Sequence, residues 1–290
     1  MEKKIEIDDL SDMDVIMEKI VDEDTLKQLE NELFGSEKKS KREEEQVNPN
    51  EKQDERKPFA APEKAETTEN VENYLIEKMK FNKGIVYDCI KGGSIYQTAV
   101  YSDGLNKDIN CAVFAGLDEN GEIKNAVMKD FQNSERVIAG SQQKYGFLLK
   151  AIENSSKPAT SVSVFENPIE LLAGATLAKI KDKISYKGVH RLSLGSSSVS
   201  EDKENIITTA ALKHFLESNP QVKTVSACVS NTENGRKYLE KIQGLLDNLV
   251  EQRGKAIKLN NLLPKDARDF HHQLLKKLGD MREKKKIEVR

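Results

Sequence analysis

The pattern of apolar and polar residues predicts a strand, a turn and a helix within residues 161–177. Val162 and Val164 alternate with small polar residues, as the residues of a half-buried strand do, and Pro168 breaks this run. Apolar residues then recur at helical spacing, at Ile169, Leu172 and Leu177. Glu166 therefore lies at the carboxyl end of the predicted strand.

Two further strand and helix units and a final strand follow this first unit. Strands are predicted at residues 189–194, 222–229 and 255–259, and helices at about 205–217 and from Asn234 onward. The second of these helices has its apolar residues on one face, at Tyr238, Leu239, Ile242, Leu245, Leu246 and Leu249. Because strands that alternate with helices usually pair in parallel, we expect a parallel sheet with helices on both faces.

The segment from Val71 to about residue 150 predicts a small α+β domain. Two short helices come first, and Gly92 and Gly93 favour the end of the second one. Strands are then predicted at residues 94–96, 110–116 and 123–128. The turn sequence at residues 118–122 predicts that the last two strands form an antiparallel hairpin.

The first 70 residues differ in charge from the rest of the chain. They contain about 22 acidic and 12 basic residues, whereas the remainder contains about 27 acidic and 34 basic residues. The net charge of −3 therefore combines an acidic segment with a basic remainder. Charged residues make up 33% of the chain and the mean hydropathy is −0.64, which indicates that part of the chain is unfolded.

Residues 8–35 of the acidic segment have apolar side chains at helical spacing, whereas residues 36–70 have almost none. Short amphipathic helices without a core of their own are typical of segments that dock on a protein partner, and marginal helices in a solvated tail have the same pattern. Residues 36–70 cannot bury enough apolar surface to offset the entropy of ordering. We therefore expect residues 1–70 to be mostly disordered and folding to resume near Val71.

The composition excludes several classes of protein. The chain has no run of 18 apolar residues and its first residues lack the apolar centre of a signal peptide, so we expect a cytoplasmic protein without a membrane span. The three cysteines, Cys89, Cys111 and Cys228, are far apart and match no zinc spacing. They are expected to be small buried apolar residues.

Glu166 is the residue whose predicted position suggests chemistry. Ligands of parallel α/β sheets bind at the carboxyl ends of the strands, so a carboxylate there is placed to hold a metal ion or to move a proton. A solvated glutamate in a turn would have the same sequence pattern. The residue alone does not distinguish these two interpretations.

Four stretches of the chain resemble, in order and spacing, a Toprim domain of the kind found in plasmid and transposon proteins. They are F-E-N-P-I-E-L-L, R-L-S-L-G, C-V-S-N-T-E-N-G-R-K and L-P-K-D-A-R-D-F. The preceding segment, with its G-S-x-x-K-Y-G-F stretch, resembles the small domain of unknown function that precedes the Toprim domain in the same proteins. The resemblance implies domains at residues 71–150 and 158–278, followed by a basic tail at 279–290.

The resemblance to Toprim domains also implies a site. Family members have a glutamate after the first strand for acid–base chemistry at phosphate, and an Asp-x-Asp pair after the third strand that binds Mg²⁺. Glu166 matches the glutamate, but the pair falls on Ser230 and Thr232. These residues, with Asn231 between them, are also typical of a turn that caps the following helix. The acidic residues available to a rearranged magnesium site are Glu233, Asp266 and Asp269.

These features lead to three hypotheses about function. The first is a mobile-element protein with a catalytically degenerate Toprim-like domain that binds DNA weakly and without sequence specificity. The second is an active Mg²⁺-dependent nuclease or primase-like enzyme, and the third is an interaction module that recruits a protein partner through residues 8–35. Candidate DNA contacts are Lys144, Arg236 and Lys237, which could equally be solvated surface residues.

Overall fold

The computed structural model describes residues 58–102, 106–132, 134–152, 158–182, 185–195, 208–253 and 256–288. The predicted partner-binding segment at residues 8–35 lies outside these residues. Among the helices that are described, none is long and apolar enough to cross a membrane. The three cysteines are buried free thiols, as the sequence predicted.

The first sheet contains four strands in the order β1-β2-β3-β4. These strands are β1 (Ile95–Ser102), β2 (Lys107–Leu117), β3 (Ile123–Asp130) and β4 (Glu135–Val137). β2 and β3 run antiparallel, with Ala115 opposite Ala126, which confirms the predicted hairpin. Asp118 closes the turn between them, because its carboxylate accepts hydrogen bonds from the backbone N–H groups of Asn120 and Glu122.

In the described part of the chain, two helices precede this sheet. They are α1 (Glu69–Glu72), which continues as a π-helical turn over Asn73–Lys78, and α2 (Lys83–Lys91). Asn82 caps α2, since its side-chain oxygen accepts hydrogen bonds from the backbone N–H groups of Gly84 and Ile85.

The sequence predicted that folding would resume near Val71. The structure shows contacts with β1 before that residue, at Pro62 and Ala65. The backbone N–H of Ala65 donates to the carbonyl oxygen of Gln97 in β1 at 2.8 Å. The hydroxyl of Tyr96 donates to the carbonyl oxygen of Pro62 at 3.1 Å. The apolar pattern did not predict this attachment because it depends on hydrogen bonds to backbone carbonyl groups, which leave no periodic signal in the sequence.

The second sheet contains five strands in the order β5-β7-β6-β8-β9. They are β5 (Leu148–Leu149), β6 (Ser161–Phe165), β7 (His190–Ser193), β8 (Thr224–Cys228) and β9 (Lys258–Asn261). Strands β6 to β9 are parallel, as predicted, and β5 runs antiparallel to β7 at the edge of the sheet. β6 is central, with β7 on one side and β8 on the other.

Four of the described helices cover the two faces of the second sheet. They are α3 (Pro168–Lys181), α4 (Ala210–Ser218), α5 (Glu233–Arg253) and α6 (Phe270–Glu288). α3 and α6 pack in the same apolar cluster as Phe165 and Cys228, and α4 and α5 pack with Val164 and Ala227 on the opposite face. This arrangement confirms the predicted α/β fold, with a largely parallel sheet that has helices on both faces.

The apolar cluster beneath α3 and α6 also contains residues of α1, α2 and the first sheet. Leu75 of the π-helical turn, Ile85 of α2 and Phe114 of β2 belong to it together with Leu172 of α3. The segment before the parallel sheet therefore shares a continuous core with one face of that sheet.

Two predicted boundaries are corrected. The last strand is formed by residues 258–261 rather than 255–259, and its pairing begins where the backbone N–H of Lys258 donates to the carbonyl of Lys223. The helix predicted from about residue 205 begins at Ala210, since Thr209 has a non-helical backbone, and residues 205–207 lie outside the described part. The sequence also missed β4 and β5, because strands of three and two residues are too short to show a period.

Candidate functional site at the carboxyl edge of the parallel sheet

The strand order places Glu166 at the point where the chain changes direction across the sheet. After β6 the chain passes to β7 on one side and then to β8 on the other side, so the end of β6 is the switch point of the sheet, where parallel α/β folds bind their ligands. Glu166 directly follows β6, and Asn167 caps α3 by accepting a hydrogen bond from the backbone N–H of Glu170 at 3.0 Å. The predicted position of Glu166 is therefore correct.

Glu166 is buried, with only 9% of its surface exposed, and its carboxylate is hydrogen-bonded to the end of the neighbouring strand. Its Oε1 accepts a hydrogen bond from the backbone N–H of Ser230 at 2.6 Å. A carboxylate that accepts from a backbone N–H makes a strong, charge-assisted bond. Glu166 therefore joins the loop after β6 to the loop after β8.

Ser230 and Thr232, the predicted degenerate metal positions, form a local hydrogen-bonded turn. Their side-chain oxygens lie 2.7 Å apart, and Thr232 Oγ1 accepts a hydrogen bond from the backbone N–H of Gly235 at 3.1 Å. Any side chain on Gly235 would collide with the carbonyl oxygen of Ser230, so a glycine is required there. The predicted capping of the following helix is therefore confirmed for Thr232, while the hydroxyl of Ser230 bonds to Thr232.

Asn231 fixes the loop after β8 against the segment before α6. Its backbone N–H donates to the carbonyl of Arg268 at 2.7 Å, and its side-chain amide donates to the carbonyls of Pro264 and Ala267 at 2.9 and 2.8 Å. Three hydrogen bonds from one residue therefore bring the segment 264–269 to the end of β8.

Glu170 is a buried acidic residue of this site that the sequence interpretation missed. Its Oε2 accepts a hydrogen bond from the backbone N–H of Phe270 at 2.7 Å. Burial raises the pKa of Glu170 to about 8, and the charges of Asp269 and Glu166 act in the same direction. The signal available in the sequence was its spacing, because Glu170 lies four residues after Glu166 and in the first turn of α3.

Asp269 stays charged more readily than Glu170. Burial raises its pKa, but hydrogen bonds from the backbone and ring of His272 and from Arg268 outweigh this, so the pKa lies below its usual value. The ring Nδ1 of His272 is 2.7 Å from Asp269 Oδ1, and the guanidinium of Arg268 is 3.1 Å from Oδ2.

The neighbouring residue His271 does not contact Asp269 through its ring. Its Nε2 lies 3.1 Å from the carbonyl oxygen of Met79, and burial lowers the pKa of His271.

The other two predicted metal residues do not join this group. Glu233 is exposed in the first turn of α5, where its carboxylate is 3.6 Å from the ammonium of Lys237. Asp266 is also exposed, on a loop residue with a φ of 51°. Within the described ranges, no three side chains of His, Cys, Asp or Glu are placed to hold one metal ion.

The residues at this edge do not fit a magnesium ion. Mg²⁺ requires near-octahedral oxygen ligands and usually one or two carboxylates to balance its charge. The hydroxyls of Ser230 and Thr232 are neutral and bond to each other, and Glu166 already accepts a backbone hydrogen bond. Burial moreover favours the neutral form of Glu170.

The candidate DNA contacts lie on segments that meet the same edge of the sheet. Lys144 is exposed just before β5, which runs antiparallel to β7, and its ammonium lies 5.0 Å from the ring centre of Tyr145. Arg236 and Lys237 are exposed in the first turns of α5, directly after the loop at the end of β8.

No protein family and no curated protein matches this sequence. Loosely similar solved structures include the primase fragment of the bacteriophage T7 primase-helicase, with 19% identity and a TM-score of 0.47 over 69% of this chain and 68% of that chain. Primase domains of bacteriophage T7 bound to its lagging-strand DNA polymerase have 17% identity and a TM-score of 0.45, over 70% and 84% of the two chains.

A DNA primase domain from Pseudomonas aeruginosa has 16% identity and a TM-score of 0.36, over 68% of this chain and 56% of that chain. Since these TM-scores are below 0.5, an assignment of function has to rest on the geometry of the site.

Proposed function

We propose that this chain is a Toprim-like protein that binds DNA and has lost the metal-dependent catalysis of its family. The observation that carries this proposal is the hydrogen bond between Glu166 and the backbone of Ser230, beside a hydroxyl pair in place of two aspartates. Together these groups form a structural link between the ends of β6 and β8.

The charges at this edge support a structural rather than a catalytic role. A site for phosphoryl chemistry needs several ionised carboxylates that converge on a cation. Here burial and the neighbouring charges of Asp269 and Glu166 favour the neutral form of Glu170, and hydrogen bonds with His272 and Arg268 occupy Asp269. The carboxyl groups of Glu166, Glu170 and Asp269 therefore each have a hydrogen-bond partner within the protein.

The proposed ligand is the phosphate backbone of DNA, bound weakly and without sequence specificity. Residues 71–290 carry a small excess of basic residues, and Lys144, Arg236 and Lys237 are exposed on segments at the carboxyl edge. Three phosphate contacts would make the logarithm of the binding constant fall with the logarithm of salt concentration with a slope of about −3. The resemblance to plasmid and transposon proteins supports a role on a mobile element.

DNA binding is tested with a fluorescently labelled duplex of random sequence over a range of salt concentrations. Replacing Lys144, Arg236 and Lys237 by alanine one at a time should weaken binding and reduce the salt slope by about one unit each. Lys241→Ala, on an exposed position of α5, is the matched control. Equal affinities for all four variants would reject this edge as the DNA-binding surface.

The loss of metal binding is tested by titrating Mg²⁺ into the protein in a calorimeter. The unaltered chain should release no binding heat, and the variant S230D/T232D should bind Mg²⁺ because it restores two carboxylates beside Glu166. The fold of the variant is checked by circular dichroism. Magnesium binding by the unaltered chain would overturn the proposed loss of the site.

A second candidate function is an active Mg²⁺-dependent nuclease or primase-like enzyme, with Glu166 as the acid or base. The observation in its favour is the raised pKa of Glu170, because strongly perturbed carboxyl groups in a crevice are typical of active sites. The decisive measurement is DNA cleavage and primer synthesis with Mg²⁺. Activity that is lost in Glu166→Gln and kept in Glu233→Gln would favour this second function.

A further inference from the structure

Helices α3 and α6 form the walls of a groove on one face of the parallel sheet. Its volume is about 640 Å³. The residues that line it recur at positions 174, 177, 178 and 181 of α3 and at positions 273, 276, 277 and 280 of α6. Residues at this spacing share one face of a helix, so each helix presents one face to the groove. The volume falls within the range of small-molecule sites, which is about 300–1,000 Å³.

Apolar side chains line one part of this groove. The rings of Phe165 and Phe270 meet edge to face, with their centres 5.5 Å apart. Leu177 of α3 also borders the groove and is only partly buried against the apolar cluster that contains Phe165. Leu262, in the loop after β9, borders the groove and is 47% exposed, although it is a large apolar residue. The groove therefore offers apolar surface that a ligand would bury.

The floor of the groove contains a buried positive charge. Arg191 of β7 lies opposite Ser163 of β6, and both residues border the groove. Only 7% of Arg191 is exposed, and its Nη1 donates to the carbonyl of Val189 at 3.0 Å. Burial raises the pKa of Cys228, also at the floor, to about 12, so this thiol is neutral and adds no negative charge. A charge with little water around it attracts an anion more strongly than an exposed charge does.

The lining of the groove is basic overall. Its basic residues are Lys181, Arg191, Lys265, Lys276 and Lys277, and its acidic residues are Asp266 and Asp280. None of the four lysines belongs to an ion pair among the described residues. A cavity bordered by α2 and β5, by contrast, has three acidic residues beside its three lysine and arginine residues. The groove between α3 and α6 therefore favours anions.

We propose that the groove between α3 and α6 binds a small organic anion, in which a phosphate or carboxylate head is joined to an apolar body. The basic residues of the lining attract the head, and the body covers the apolar surface around Leu177 and Leu262. The groove includes none of the proposed DNA contacts. The proposal is therefore independent of the proposed DNA-binding function.

The probe for this site is 8-anilinonaphthalene-1-sulfonate, an aromatic sulfonate whose fluorescence rises in apolar surroundings. It is titrated into the full chain, and octyl phosphate, octanoate and octanol then compete with it. At least one of the two anions should displace the probe at a concentration roughly tenfold lower than octanol does, because octanol lacks the charge. The stronger anion identifies the preferred head group. Equal displacement by all three compounds, or no binding of the probe, would overturn the proposal.

Two variants test the charge and the apolar surface separately. The double variant Lys276→Glu, Lys277→Glu reverses two charges, and Ala178→Phe fills the groove from α3 without a change of charge. Each should weaken binding of the probe roughly tenfold. Lys241→Glu, at an exposed position of α5, which packs on the opposite face of the sheet, should bind as the unaltered chain does.

A loss of binding in only one of these two variants would overturn the proposal, because the ligand would then require either the charge or the apolar surface but not both. Circular dichroism establishes that the variants fold. The comparison of octyl phosphate and octanoate with octanol tests the role of charge in the unaltered chain.

Duplex DNA is the competing occupant of a basic groove. A duplex of random sequence is therefore added to the complex of the full chain with the probe. A probe that stays bound supports a separate site for a small anion. Release of the probe by the duplex would identify the groove as part of a DNA-binding surface and would overturn the proposal.

Discussion

Glu170 shows how the surroundings of one residue change its chemistry. The carboxyl group is buried beside Asp269 and Glu166, and burial is the main reason that its pKa is raised to about 8. The unfolded chain would ionise Glu170 near its ordinary pKa of 4.5, while the folded chain keeps it protonated. Folding therefore becomes less favourable as the pH rises from about 4.5 to 8.

We expect Glu170→Gln to remove this part of the pH dependence. Glutamine keeps an oxygen that can accept the hydrogen bond from Phe270 but cannot ionise. Urea denaturation at several pH values between 5 and 8 measures the free energy of unfolding, which should fall with pH less steeply in the variant. Glu233→Gln, at an exposed position, is the control, and parallel pH profiles for Glu170→Gln and the unaltered chain would contradict the raised pKa.

At the scale of elements, the loop after β8 links the sheet to two helices. Thr232 caps α5, and Asn231 holds the segment that precedes α6. We expect Thr232→Ala to lower the free energy of unfolding by about 1 kcal/mol, because a capping oxygen is lost. Thr232→Ser keeps that oxygen and should be nearly neutral. Urea denaturation of both variants provides the measurement, and equal losses would exclude capping as the role of this side chain.

At the scale of the whole molecule, the contacts of residues 62–65 with β1 determine where the chain can be shortened. A chain that begins at residue 58 keeps the hydrogen bonds from Ala65 to Gln97 and from Tyr96 to Pro62, whereas one that begins at Val71 loses both. We expect the shorter chain to be less stable by about 1–3 kcal/mol.

Thermal unfolding of the two truncated chains measures this difference, and limited proteolysis of the full chain reports where its resistant core begins. The core should include Pro62 and Ala65, whose carbonyl and N–H groups bond to β1. Equal melting temperatures for the two truncated chains, with a resistant core that starts at Val71, would show that residues 58–70 contribute nothing to stability.

The sequence determined the order of strands and helices and the position of Glu166, because apolar periodicity is a local property. The alternation of strands with helices then predicted the parallel pairing of β6 to β9. Only the tertiary structure decided which polar groups meet. Glu170 and Asp269 are far apart in sequence and come together because Asn231 holds the segment before α6 against β8. Strand β5 was likewise not predicted, since a strand of two residues has no period and is recognised only by its pairing with β7.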